Sequence, residues 1–345
     1  MQGLLFDNFV RYASISSRRY LGNKYRLLQF IDSVISPYRD NIRSVADVFA
    51  GTGAVSSLFT DKQIITNDIL YSNYLCHIAW FGGEAYSEPK IVELIQQYNQ
   101  TDVEESNYMS ENFSNTYFTE RVCKKIGYIR EDIESLFNAQ KINFRERAFL
   151  AASLLYAMDK IANTCGHYDA YRQGVKNLAQ LELKIPEITW ANNPNNQCFN
   201  EDANALVRKI EPDLVYIDPP YNSRQYCDSY HVLENVACWK KPEVFGVARK
   251  MNRDALKSDY CTQRAPEAFN DLINNISARY ILVSYNNMGE EGDGRSNAKI
   301  SDTEILDILA SRGKVEVFSS KHKAFSAGKS NRPQNEERLF FVVVR

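Results

Sequence analysis

The apolar positions of the chain fall into two rhythms. In residues 44–59, SVADVFAGTGAVSSLF, a run of strand length passes into a glycine turn and the start of a helix. Residues 64–70, IITNDIL, form a second such run ending near an acid, and YSNYLCHIAWF after it has helical spacing. Strand, turn, helix, strand is the opening of a βαβ unit and predicts a parallel sheet. DLVYI before Asp218 supplies a third strand and RYILVSY at 279–285 a fourth. SDTEILDILASRG then predicts a helix with Ser301 as its N-cap and Gly313 as its stop. KVEVFSS and RLFFVVVR close the chain as an antiparallel pair joined by a basic loop.

Between residues 84 and 196 the rhythm changes. EPKIVELIQQYNQ, TERVCKKIGYIREDIESLFNAQ and NFRERAFLAASLLYAMDKIANT all repeat at helical spacing with no strand alternating between them, and the block ends in the turn-rich NNPNNQ. The expected organisation is an α/β domain made of residues 1–83 and 197–345, with a mainly helical insert at 84–196.

Composition narrows the classes. The opening residues MQGLLFDNFVRYAS carry no sustained apolar run and no small-residue cleavage pattern, so neither a signal peptide nor a membrane span is expected and the cytoplasm is the default compartment. Seven cysteines and four histidines are scattered without a CxxC pair or a metal-ligand spacing, which predicts ordinary thiols and no bound metal. A net charge of −2 does not by itself point to nucleic acid. Local stretches do: residues 18–26, 240–257 and 321–332 are each rich in Lys and Arg, and together they could line one groove.

Two motifs carry chemistry. In DVFAGTGAV, Gly51 and Gly53 let a ligand approach the backbone at the end of a strand, and Asp68 lies 17 residues after Gly51, near the spacing of a ribose-binding acid. Ser56 stands where a third glycine of a dinucleotide motif would be, so the turn suits a nucleoside cofactor without a pyrophosphate. The second motif is Asp218-Pro219-Pro220-Tyr221 at the carboxyl end of a strand, where ligands bind in such folds. Two prolines stop the sheet ladder and hold a main-chain carbonyl stiffly as an acceptor. A carboxylate, a rigid carbonyl and an aromatic face suit a planar group bearing an NH2. If Asp218 and the Pro219 carbonyl each accept one N–H, the nitrogen lone pair is turned toward an electrophilic methyl, and catalysis is mostly positioning. Tyr230 and His231, on the helix that follows, read as packing residues.

With these motifs in this order the sequence resembles the adenine-N6 DNA methyltransferases of the alpha, Dam-like class over nearly its whole length. The resemblance implies a Rossmann-like class I methyltransferase domain with a mixed seven-stranded sheet, S-adenosylmethionine as cofactor, and a helical target-recognition insert. It implies cofactor roles for Tyr20 and Lys24 of RYLGNK, for Asp47, Phe49, Gly51 and Gly53, for Asp68 at the ribose and for Asp202 at the cofactor adenine; Asn23 departs from a family pattern that often has glycine there. Asp218, Pro219, Pro220 and Tyr221 become the catalytic residues, and Asp218 in place of serine favours adenine over cytosine. Arg18, Arg19, Arg224, Lys250, Arg253, Lys321, Lys323 and Lys329 are the expected contacts to double-stranded DNA. A monomer and a cognate restriction endonuclease acting on the same site are further expectations. Methylation of adenine in RNA or of cytosine N4, a non-catalytic DNA-binding subunit and an NAD-dependent dehydrogenase are the alternatives. The dehydrogenase fails on its incomplete glycine set and has no use for the DPPY stretch.

Overall fold

A computed structural model describes residues 12–173, 179–188, 193–286, 298–321 and 336–345. Its centre is a seven-stranded sheet of β1 (Ser44–Asp47), β2 (Gln63–Asn67), β3 (Gln197–Phe199), β4 (Leu214–Ile217), β5 (Tyr280–Asn286), β6 (Gly313–Lys321) and β7 (Glu336–Val344). The strand order is β3-β2-β1-β4-β5-β7-β6, and β7 runs antiparallel to both of its neighbours. The mixed sheet with its antiparallel end is the class I methyltransferase architecture expected from the sequence.

Successive residues of the central strands face opposite sides, as a pleat requires. Leu214, Tyr216 and Leu282 enter one buried cluster, whereas Val215, Ile217, Ile281 and Val283 enter the other. Both faces are therefore covered, which explains why LVYI and YILV read as unbroken apolar runs rather than alternating ones. The first face carries α1 (Leu28–Ile35), α2 (Tyr71–Phe81) and α7 (His231–Cys238); the second carries α8 (Ala265–Asn274) and α9 (Asp302–Ala310).

The helical block contributes α3 (Glu88–Gln100), α4 (Tyr108–Phe113), α5 (Glu120–Asn138) and α6 (Phe144–Ile161). These helices share the core of the sheet's first face. Every residue of α6 from Arg145 to Asp159 is buried, because α2 packs on one side of it and α3 and α5 on others. Arg130 of α5, fully buried, donates through Nε to Val236 O at 2.7 Å and through Nη2 to Ala237 O at 3.2 Å, binding the last carbonyls of α7.

Two boundaries differ from expectation. After Gly53 the chain makes only a 3-10 turn, Ser56–Phe59, instead of starting a helix, because Asp61 to Gln63 must already lead into β2. Gly313 does not stop α9 but opens β6; α9 ends at Ala310, and Ser301 caps its start in a reciprocal pair with Glu304. Among the described residues no helix is long and apolar enough to cross a membrane.

Candidate active site

The carboxyl ends of β1, β2 and β4 open onto one cleft, and its wall includes Tyr20, Lys24, Asp47, Gly51, Asp68 and Asp218. Residues widely separated in sequence thus meet where parallel strands leave their last backbone groups unpaired.

The glycine turn forms one side. Gly51 and Gly53 have φ of +54° and +80°, in the left-handed region that glycine enters without steric cost. A Cβ on Gly51 would lie 3.0 Å from the Tyr20 ring, so absence of a side chain there lets the ring close over the turn. Asp68 clasps the same turn: Oδ2 accepts the Gly51 N–H at 3.0 Å and Oδ1 the Leu70 N–H at 2.8 Å. Burial pushes Asp68 up to about 6 while these bonds oppose the shift. On the other side His77 Nε2 meets Gly51 O at 2.9 Å; burial lowers this ring to about 4, so it is neutral and donates.

Asp47 is only 2% exposed. Its Oδ2 accepts the Ser56 hydroxyl at 2.9 Å, which gives the residue in the third-glycine position a role, while Oδ1 is buried without a partner. Burial pushes the carboxyl up to about 7, Ser56 opposes this, and Asp218 and Asp68 add to it. A buried acceptor beside two further carboxylates is a site for a cationic N–H donor.

Tyr20 is fixed from behind. Its ring stacks on Tyr230 at 4.6 Å and 11°, and its hydroxyl accepts from Asn73 Nδ2 at 3.0 Å. Leu21 N donates to Tyr230 Oη at 2.7 Å, and Tyr226 Oη donates to Leu21 O at 3.2 Å. The amino-terminal motif is therefore held against the segment that follows the DPPY stretch. Gly22 takes φ +75°, whereas Asn23 sits at −55° and its side chain caps the turn Lys24–Leu27 by accepting Tyr25 N at 3.0 Å. No glycine is required at 23. His231 bonds to Tyr168 O at 2.9 Å in the interior and does not line the cleft, whereas Tyr230 supports a cleft residue directly.

β4 delivers Asp218 to the cleft. Lys24 Nζ lies 3.2 Å from Asp218 Oδ1 and also pairs with Glu337 Oε1, which in turn accepts the Ser284 hydroxyl at 3.1 Å. Burial opposes the charge on Lys24, yet Asp218 and Glu337 hold its pKa well above the ordinary lysine value. Burial pushes Asp218 up to about 6; Lys24 draws it down and Glu337 pushes it up. Pro219 is buried, Pro220 lines the cleft, and Tyr221 stands edge-on to Tyr285 at 6.0 Å with its carbonyl accepting Lys299 N at 3.0 Å.

The remaining expected contacts divide. Asp202 lines the cleft and caps the turn Ala203–Leu206, accepting Ala205 N at 3.1 Å; Phe49 lies edge-on to Tyr260 at 5.1 Å. Arg19 and Arg224 are exposed. Arg18 is not a surface residue: it is 3% exposed, donates to Asn73 Oδ1 at 2.8 Å and sits against the Tyr20 and Tyr230 rings, so no phosphate reaches it in this conformation. Lys250 and Arg253 are not free cations either, since Lys250 pairs with Asp169 and Asp228 at 3.0 and 3.3 Å and Arg253 with Asp228 at 2.8 Å. Lys321 closes β6, and Lys323 and Lys329 lie outside the described residues.

Glu337, Ser284, Tyr226 and Asn73 were not anticipated. One signal was available for Glu337. A terminal strand that runs antiparallel begins at the ligand edge of the sheet, so an acid at its start, opposite Asn286, arrives beside the cleft.

Comparison with known proteins agrees with this geometry. The chain is 34% identical to modification methylase StsI of Streptococcus sanguinis over 95% of its own length, covering 52% of that protein. It is 33% identical to the type II methyltransferase M.FokI of Planomicrobium okeanokoites over 93% of its length, covering 51% of that protein. It therefore spans about half the length of these two relatives. Against the type II methyltransferase M.NlaIII of Neisseria lactamica identity is 30%, with 93% of this chain and 96% of that protein covered. The family profile described as D12 class N6 adenine-specific DNA methyltransferase matches residues 20–292, which include the aromatic Tyr20, the glycine turn and Asp218 to Tyr221, and the chain belongs to that family.

Proposed function

We propose that the chain transfers a methyl group from S-adenosylmethionine to N6 of an adenine flipped out of duplex DNA. The observation that carries this is the meeting of Asp218 and the Gly51 turn in one cleft, whose wall also holds Asp47 with its unpartnered oxygen.

The residues fit the cofactor. Asp47 would take its ammonium, Asp68 its ribose hydroxyls and Asp202 its adenine amine, with Tyr20 against it and Gly51 giving close backbone approach. When bound, S-adenosylmethionine supplies an electrophilic methyl. Asp218 and the Pro219 carbonyl accept the two N–H bonds of the target amine and so aim its lone pair. Tyr221 stacks on the flipped base. Lys24 favours the anionic form of Asp218, which can then receive the proton that the nitrogen sheds once it is alkylated.

The helical block at 84–196 serves as the target reader, and the exposed Arg19 and Arg224 meet phosphates. The names of the relatives place such enzymes in modification systems; this chain, working as a monomer in the cytoplasm, would protect DNA against a nuclease acting on the same site.

The test is transfer of a labelled methyl group from S-adenosylmethionine to unmethylated bacterial chromosomal DNA, with products digested to nucleosides. N6-methyladenine in DNA supports the proposal. N4-methylcytosine, or label confined to ribosomal RNA, overturns the assignment of the base or of the nucleic acid.

A further inference from the structure

Residues 240–257 were expected to hold phosphates, but Lys250 and Arg253 are engaged within the protein, and the segment also presents two apolar side chains to solvent. Residues 245–250 form a tight hairpin in which Phe245 N donates to Lys250 O at 2.8 Å and Lys250 N to Phe245 O at 2.9 Å. Gly246 and Arg249 take φ of +70° and +51°, and the second of these is uncommon for a residue with a side chain.

The hairpin is fastened at three places. Lys250 and Arg253 pair with Asp228 and Lys250 also with Asp169. The Tyr117 hydroxyl is 2.9 Å from Ala248 O. Farther on, Gln225, a cleft residue, accepts Ser258 N at 2.8 Å and donates to Ser258 O at 3.1 Å, so the segment leaving the hairpin runs into the cleft wall at Leu256, Lys257 and Ser258.

With its backbone so held, the tip leaves Phe245 56% and Val247 75% exposed. Folding alone gives no reason to fix two apolar side chains outward on a braced loop. Arg249 within the hairpin and Lys240 before it are exposed as well, as is Glu243, whereas Lys241 pairs with Glu131 at 2.6 Å; the apolar tip thus has an exposed cation on either side of it in sequence. Proteins that unstack DNA combine these features: an apolar side chain enters between bases while cations hold the backbone.

We propose that residues 245–250 form a wedge whose Phe245 and Val247 enter the base stack of duplex DNA and hold the space left by the flipped adenine. This rests on the function proposed above. The pairing of Lys250 with Asp228, three residues along the chain from the cleft residue Gln225, ties the wedge to the segment that lines the cleft receiving the base.

The wild-type protein and S-adenosylmethionine are first used on unmethylated bacterial chromosomal DNA, and sequencing of modified bases gives the target. Synthetic duplexes of that target are then prepared with the adenine either paired to thymine or opposite an abasic site, where unpairing costs little. The double variant Phe245→Ala, Val247→Ala alters exposed side chains only; S-adenosylmethionine binding and thermal unfolding like those of the wild type confirm its fold. On the paired duplex its single-turnover rate is expected to fall about tenfold or more, and on the abasic duplex to return to within about twofold of wild type. An unchanged rate on the paired duplex, or an equal loss on both duplexes, overturns the wedge. A change in oligomeric state with no change in rate also overturns it and marks an interface between copies of the chain. If the wild type makes no N6-methyladenine at all, the function proposed above fails and the wedge with it, a result distinct from failure of the variant alone.

Discussion

Lys24 Nζ lies 3.2 Å from Asp218 Oδ1 and joins the turn that precedes α1 to the end of the central strand β4. The lysine is 6% exposed and has Glu337 as its second partner, so one buried cation serves a carboxylate inside the cleft and another behind it. Such an arrangement tunes Asp218 from a distance that sequence motifs do not reveal.

Removing the cation acts on the acid limb of the reaction. Asp218 is held near 6 by burial with Lys24 opposing, and the role proposed for it requires the anionic form, so the rate is expected to fall as pH drops through that value. Lys24→Met removes the opposing charge. The limb moves to higher pH, and kcat at pH 7.5 falls by about 100-fold. Single-turnover rates between pH 5 and 9 check both; a limb that stays in place refutes the coupling.

Glu337→Gln has the opposite sign. Glu337 pushes Asp218 up, so its neutralisation moves the acid limb to lower pH while the hydrogen bond from Ser284 can persist. The same pH series distinguishes this shift from a merely structural defect, which would lower the rate at every pH without moving the limb.

Asp47 is expected to exchange stability for ligand binding. Its folded pKa of about 7 lies above the ordinary aspartate value of 3.8, so the folded state holds a proton that the unfolded state has released between those pH values. Stability therefore declines as pH rises through this window. Asp47→Asn is expected to raise Tm by a few degrees at pH 8, with the advantage vanishing below pH 3.8, and to weaken S-adenosylmethionine binding about tenfold or more. Thermal melts at several pH values and calorimetric titration measure the two effects.

Gly51→Ala adds a Cβ 3.0 Å from the Tyr20 ring at a φ of +54°. The backbone cost of about 1–2 kcal/mol and the displaced ring lower both Tm and cofactor affinity. Affinity at the wild-type level would show that Tyr20 does not cover the ligand.

The arginines at 18 and 19 part company. Arg19→Ala lowers the slope of log binding constant against log salt by about 1, as loss of one phosphate contact should. Arg18→Ala leaves that slope unchanged but destabilises the fold by about 2–4 kcal/mol, because a buried guanidinium bonded to Asn73 is lost from beneath Tyr20. Binding isotherms across salt concentrations and denaturant unfolding separate the two roles.

Local pattern sufficed for much of the protein. The strands LVYI and YILV, the helix Tyr71–Phe81, the left-handed turn at Gly51 and the placing of Asp218 after a strand all depend on neighbours in sequence, through apolar runs, helical spacing and backbone permissiveness. Three matters were decided only in the folded chain. Burial of Arg18, the Lys24–Glu337 pair and the bracing of residues 245–250 depend on which distant elements the sheet order and the packing of α2 against α6 bring together. A basic residue reads the same in sequence whether water or a carboxylate surrounds it. Its surroundings, which set both its charge and its task, exist only once the strands have assembled.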